Sequence, residues 1–342
     1  MLQIINPIEY PNWDELILTN NNYSFFHTSA WAKVVSESYN YKPLYFSEIH
    51  NGKITSLMPI MAVKSPLTGR RGVGLPFADH CPVISSDRNH FKKLFAKIIE
   101  YGKKDRWGAI DIRGGEEYLN DKIPSEIYFT HSLNLALSEQ KIFSAFRSST
   151  KRNIKKAINN NVQVKILNSL ESVKEFYRLN CLTRKDHGLP PQPWHFLKKI
   201  FENIISLQKG FIALGIFKER PIAGAVYFYF GEKAIYKYGA SDRIYQHLRP
   251  NNLIMWEAIK CCKQNGCKHF SFGRTEPDHE GLLQFKRGWG TIEEAINYYR
   301  YDLIKNEFVK NSSRIKSSYS FFRKLPIPLL KLSSRLLYRH VG

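Results

Sequence analysis

The hexapeptide Phe285-Lys286-Arg287-Gly288-Trp289-Gly290 combines a compact cation with two aromatic rings and two glycines. Gly288 and Gly290 allow a tight backbone path that brings amides close to a substrate. Phe285 and Trp289 are rigid walls that exclude water, and in so dry a space Lys286 can meet a developing oxyanion or a ribose-linked oxygen. The structural alternative is a surface lysine beside a packed turn. A second cluster is Arg147, Lys151, Arg152, Lys155 and Lys156, around the first turns of a helix opened by Ser149 or Thr150, with no acid from Lys141 to Asn160. Cations beside a helix N-terminus attract phosphate. A phosphate or RNA-backbone site and a plain solvated basic face are both open there. Glycines and polar groups also gather in Tyr238-Gly-Ala-Ser241-Asp242, in Leu248-Arg249-Pro-Asn251-Asn-Leu and in Phe272-Gly-Arg274-Thr. Each falls at a strand end or a helix start, where ligand sites of open sheets collect.

Other chemistries leave little trace. The chain has no G-x-S-x-G, H-E-x-x-H, Walker loop or helix-opening G-x-G-x-x-G. Cys261, Cys262, Cys267 and His269 lie close in sequence, but on a helix and then a strand, so packing and not metal binding is expected. Asp79-His80-Cys81 reads as a structural turn, because adjacent turn residues do not face one another.

A net charge of +21 points to a polyanionic partner: nucleic acid, an anionic membrane or a phosphorylated substrate. With 342 residues, 43% of them hydrophobic, the chain can build two cores, which excludes wholesale disorder. Five cysteines without a C-x-x-C pair argue for a reducing compartment. The start of the chain carries no basic, cleavable leader, and apolar runs such as Pro221 to Gly231 are too short to span a bilayer. A cytoplasmic protein is expected.

The elements that must position these residues are legible in the hydrophobic pattern. Thr28-Ser29 open a helix through Trp31, Val34 and Val35, and strands Pro43 to Ile49 and Ile54 to Val63 meet at Asn51-Gly52. A helix is expected over His90 to Tyr101 and a strand over Gly108 to Arg113. Further on come a strand over Val162 to Leu167, a capping box Asn168-x-x-Glu171 before a helix, and a helix from Pro193 to Ser206. A meander of Phe211 to Phe217, Ile222 to Phe230 and Lys233 to Tyr238 follows. A helix from about Asn252 to Gly266 and a strand Lys268 to Phe272 complete an α+β layer with a central sheet. From residue 306 onward eight Lys/Arg face one acid, and Leu329, Leu332, Leu336 and Leu337 share a helical face. This basic amphipathic tail fits either an anionic membrane surface or docking on the first domain.

The pattern running from Arg147-Ser-Ser-Thr-Lys-Arg-Asn through Tyr238-Gly-Ala-Ser-Asp to Glu280-Gly-Leu-x-x-Phe-Lys-Arg-Gly-Trp-Gly resembles the FemAB-like branch of the GNAT superfamily. The resemblance covers roughly residues 25 to 305 and is specific in the second half. It implies two GNAT-like domains, 1–145 and 146–305, each a mixed sheet flanked by helices, followed by the tail 306–342. The implied activity is amide formation on an amine-bearing cell-envelope precursor, a UDP- or lipid-linked peptidoglycan intermediate or an envelope glycan. The implied donor is aminoacyl-tRNA, with acyl-CoA the alternative, and no cofactor is tightly bound and no metal used. It places Lys286 and Phe285 at the transfer site. Arg147, Lys151, Arg152, Tyr238, Ser241, Asp242, Arg249, Asn251, Arg274 and Trp289 are the expected substrate-binding residues, and the inner membrane face is the expected place of action. Two departures matter. Where acetyl-CoA users carry a glycine-containing pyrophosphate loop, this chain reads Gln246-His-Leu-Arg-Pro-Asn-Asn-Leu; and Ser271 stands where relatives have an acid. A CoA-dependent N-acetyltransferase of an amino sugar and a non-catalytic RNA- or membrane-binding protein on the same scaffold stay open as alternatives.

Overall fold

A computed structural model describes residues 2–310 and 320–341. In chain order the first elements are β1 (Leu2–Ile5), α1 (Trp13–Leu18), α2 (Ser29–Tyr39), β2 (Lys42–His50), β3 (Lys53–Ser65), β4 (Gly69–Val73), β5 (Ile84–Ser85), α3 (Arg88–Lys104), β6 (Ala109–Arg113), α4 (Glu116–Leu119) and β7 (Glu126–Asn134). There follow α5 (Glu139–Ala145), α6 (Ser148–Asn159), β8 (Gln163–Leu167), α7 (Leu170–Asp186), α8 (Trp194–Ile200), β9 (Gly210–Phe217), β10 (Arg220–Phe230), β11 (Lys233–Ser241), α9 (Pro250–Gln264), β12 (His269–Thr275) and α10 (Glu280–Arg287). The chain ends with β13 (Ile292–Asp302), β14 (Glu307–Val309), α11 (Ser320–Lys324) and α12 (Ile327–Val341). This is the mixed α+β architecture expected, in two compact units.

Unit 1 takes Met1–Phe129, Ala295–Ile315 and Arg339–Gly342. Its strands run β1-β2-β3-β4-β6-β13, antiparallel except where β4 pairs in parallel with β6. The β2–β3 hairpin forms at Asn51-Gly52, both left-handed (φ 49° and 70°), a turn whose twist matches that of the paired strands. Thr28 caps α2, its hydroxyl accepting the Trp31 N–H. Phe46, Ile60, Leu94, Ile98, Ile110 and Tyr299 build the core. Arg71 and Ser65 hold His340, the first through its carbonyl and the second through its ring.

Unit 2 takes Thr130–Glu294 and Lys316–Tyr338. Its strand order is β7-β12-β11-β10-β9-β8, so β8 is an edge. Strands β8 to β11 form an antiparallel meander, and β11 pairs in parallel with β12. Side chains alternate across a strand. On β9 and β10, Gly224 accordingly meets Phe176 and Leu179 of α7, whereas Gly215 meets Ile254 of α9, so the two helices cover opposite faces. The division between units falls at Phe129/Thr130, with Ala295–Ile315 returning to unit 1, whereas the sequence suggested 145/146 and 305/306.

Two local expectations are corrected. Helix α7 is capped by Ser169, whose hydroxyl accepts the Ser172 N–H, and not by Asn168. Neither Ser149 nor Thr150 caps α6. Arg147 is the boundary residue, and Thr150 is turned inward. Ile158 is exposed, because the buried row of α6 is Thr150, Ile154 and Ala157, at i, i+4 and i+7.

Candidate active site

Strands β11 and β12 are parallel but pair only over Lys233–Ile235 and His269–Ser271. β11 continues to Ser241 and β12 to Thr275 without further pairing to each other, so their carboxyl ends part. A crevice at the carboxyl ends of parallel strands is the usual ligand position in an open sheet. The singled-out motifs collect along these two ends.

Lys286 defines the β12 side. Phe285 and Lys286 lie in the last turn of α10, not on a β-turn, and Lys286 is 2% exposed. Its ammonium donates to the carbonyl oxygens of Gly273 (2.8 Å) and Arg274 (3.2 Å). Gly273 sits at φ 67°, a left-handed turn that aims its carbonyl this way, and its N–H is held by the Ser271 hydroxyl at 3.1 Å. Burial of an ammonium is costly unless its donors find acceptors, and here two carbonyls supply them. The surface-lysine alternative does not describe this residue.

Beside it lies a cluster that the sequence did not reveal. His131 on β7 is fully buried and its Nε2 contacts Glu293 Oε2 at 2.8 Å. Arg287 donates to both Glu293 oxygens, at 2.6 and 2.8 Å. Burial, and then the charge of Lys286, hold the His131 imidazole below its ordinary value, while Glu293 pulls the other way. The bond from Arg287 keeps the Glu293 carboxyl below the usual carboxylate range. Arg287 was visible within the hexapeptide; His131, an isolated histidine on a strand, carried no signal.

The same hexapeptide anchors the basic helix. The Gly288 carbonyl accepts from the Arg147 N–H and from the Thr150 hydroxyl, both at 2.9 Å. Gly290 (φ 66°) runs against Ala145, where an added Cβ would lie 2.8 Å from a backbone oxygen. Trp289 is completely buried, edge-on to Phe146 at 4.9 Å and to Phe285 at 5.8 Å. Trp289 is thus a core wall and not a surface for substrate contact. Of the expected cations, Arg147 and Arg152 are exposed. Lys151 is partly engaged, donating to the Ser144 carbonyl at 2.7 Å with its ammonium over the Phe143 ring.

On the β11 side, Thr183 of α7 clips the strand end, accepting the Ser241 N–H at 2.8 Å and donating to the Ser241 carbonyl at 3.0 Å. Asn251, in the first turn of α9, reaches the Ser241 hydroxyl at 3.5 Å. Tyr238 is half-buried with Lys237 over its ring. Asp242 is buried as a corner post: its side chain accepts from the Ile244 N–H and lies 3.6 Å from Arg220. That geometry gives Asp242 a structural task. Arg249 is exposed in the left-handed region at the α9 boundary, and Arg274 is half-buried with its carbonyl on Lys286.

Comparison with known proteins gives this arrangement its context. Residues 144–287 match the Acetyltransferase (GNAT) domain family. That match takes in Lys286 and the basic helix α6. A lipid II:glycine glycyltransferase of Staphylococcus haemolyticus (strain JCSC1435) is 38% identical over 89 residues, 24% of this chain and 21% of that protein. The Staphylococcus aureus protein of the same name is 33% identical over 97 residues, 25% of this chain and 23% of that protein. The chain therefore spans about a fifth of the length of the curated relatives it matches. Among solved structures, FemX superposes with a TM-score of 0.69 at 15% identity, covering 89% of this chain and 98% of FemX. A tandem GNAT protein from the clavulanic acid biosynthesis pathway gives 0.55 at 6% identity, covering 89% and 98%. At such identities the likeness shows the fold alone. Among the described residues, no group of three or more His, Cys, Asp or Glu side chains is placed to hold a metal.

Proposed function

We propose that this chain is an N-acyl or aminoacyl transferase that forms an amide on an amine-bearing precursor of the cell envelope. The observation that carries the reading is the buried Lys286 ammonium at the parted carboxyl end of β12, within a domain whose relatives are named lipid II:glycine glycyltransferases. The acceptor nitrogen attacks the activated carbonyl of the donor, a C–N bond forms, and the ester C–O bond breaks. The leaving ribose hydroxyl oxygen takes up the proton that the amine loses. Negative charge develops on the carbonyl oxygen, and the Lys286 cation is positioned to stabilise it in a water-poor setting. Phe285 forms the adjoining wall.

An aminoacyl-tRNA donor is favoured over acyl-CoA by the start of α9. Pro250 there has no N–H, and the Asn252 N–H is already bonded to the Arg249 carbonyl. A backbone cradle for a pyrophosphate is correspondingly poor. The exposed Arg147 and Arg152, on the segment tied to Gly288, suit a polynucleotide backbone better. No helix among the described residues is long and apolar enough to cross a membrane. We place the reaction at the cytoplasmic face, where a lipid-linked acceptor would be met from the aqueous side.

The test offers purified full-length protein labelled aminoacyl-tRNA and labelled acyl-CoA side by side, with an envelope-precursor extract as acceptor. Label passing from the tRNA to an acceptor amine is expected. Transfer from acyl-CoA alone would select the N-acetyltransferase reading, and salt-dependent RNA binding without turnover would make the chain a binding protein.

A further inference from the structure

We propose that α12 is an interfacial helix whose outward leucines enter an anionic lipid bilayer. Leu329, Leu332 and Leu336 follow one another at i, i+3 and i+7 and are 49%, 53% and 56% exposed. The opposite face is occupied. Leu330 and Ser334 are buried, Lys331 lies over the Tyr177 ring at 4.9 Å, and the Tyr338 hydroxyl meets Arg184 (3.2 Å) and the Pro190 carbonyl (3.3 Å). The helix is thus already seated on α7 of unit 2, and its row of leucines is not needed for that seating.

The charge around the row says what covers it. Arg323 and Lys324 precede the helix, and Arg335 stands on it one position before Leu336, all exposed. From Phe308 to the end of the chain there is no acidic side chain, against eight Lys/Arg. Leucines that insert among acyl chains, bordered by cations that stay at the headgroups, make an in-plane amphipathic helix. A second copy of this chain would bring Arg335 and its neighbours against the same cations, which like-charge repulsion opposes. RNA would use the cations but leave the leucines in water. An anionic bilayer satisfies both sets.

The proposal does not rest on the transferase reading, since vesicle binding is measured without substrates. Full-length protein is sedimented with phosphatidylcholine vesicles and with vesicles containing about one-third phosphatidylglycerol. Wild type should partition onto the anionic vesicles. The double variant Leu332→Asp, Leu336→Asp should lose about 30-fold or more of that partitioning, and Arg323→Gln with Arg335→Gln about tenfold. All should keep the wild-type melting temperature. If the aspartates perturb folding, Leu329→Asn with Leu336→Asn is read in their place. The proposal is overturned if wild type ignores anionic vesicles, or if leucine variants bind them like wild type. It is equally overturned if the leucines instead control a concentration-dependent dimer, or if RNA retention is the sole property the cations change.

Discussion

Replacing Lys286 by Met separates the hold on β12 seen in the structure from the oxyanion role proposed for the same ammonium. The side chain donates to the Gly273 and Arg274 carbonyls at 2.8 and 3.2 Å, so it secures the end of β12 as well as carrying charge. Each bond from a charged donor is worth about 1.5–3 kcal/mol. Against this stands the desolvation of a buried cation, several kcal/mol on its own, which methionine avoids. The balance is a loss of about 1–3 kcal/mol, or a fall of roughly 3–10 °C in melting temperature for a unit of this size. If Lys286 also stabilises the oxyanion, single-turnover rates on prebound donor should fall by about 10²–10³, equivalent to about 2.7–4 kcal/mol in the barrier.

Lys286→Gln distinguishes the two. Its amide can still donate to the carbonyls but carries no charge, so it should recover part of the lost stability and none of the lost rate. Thermal melts and single-turnover transfer measured on the same preparations decide the matter. A methionine variant that melts lower yet transfers within about threefold of wild type would refute the electrostatic role and leave Lys286 as a clamp on β12.

Gly290→Ala should destabilise unit 2 by about 1–3 kcal/mol in urea denaturation, because the site is left-handed and the new Cβ would lie 2.8 Å from the Ala145 oxygen. Arg147→Ala with Arg152→Ala should lower the salt dependence of tRNA binding by about 0.7–0.9 in log–log slope for each phosphate that is no longer neutralised, with melting unchanged, since both residues are exposed; an unchanged slope would return α6 to a solvated basic face. His131 has a folded-state pKa below its ordinary value, so the unfolded chain binds more protons near and below about pH 6.5. Its contribution to stability is therefore full above that pH and is lost as pH falls towards the folded value, and His131→Gln should flatten this part of the stability–pH curve.

What could be read in the sequence was whatever neighbouring residues decide among themselves. The hairpin at Asn51-Gly52, the Thr28 cap and the three-strand meander appear where expected, because turn chemistry, capping and alternation act within a few residues. The Asn168 cap missed by one position, since Ser169 and Asn168 offer similar acceptors and only the backbone path chooses between them. The return of Ala295–Ile315 to unit 1 depends on β13 pairing with β6, across nearly two hundred residues, and no local pattern reports it. The site divides the same way. The hexapeptide announces a cation among aromatics and glycines, but whether that cation faces water is decided by Gly273, thirteen residues earlier, and the neighbouring His131–Glu293 pair joins residues 162 apart. A lysine in the last turn of an amphipathic helix would ordinarily reach into solvent. It is buried here because a left-handed glycine at the parted end of β12 presents a carbonyl to it, so the chemistry of Lys286 is as much a property of the Phe272-Gly273-Arg274 turn as of its own motif.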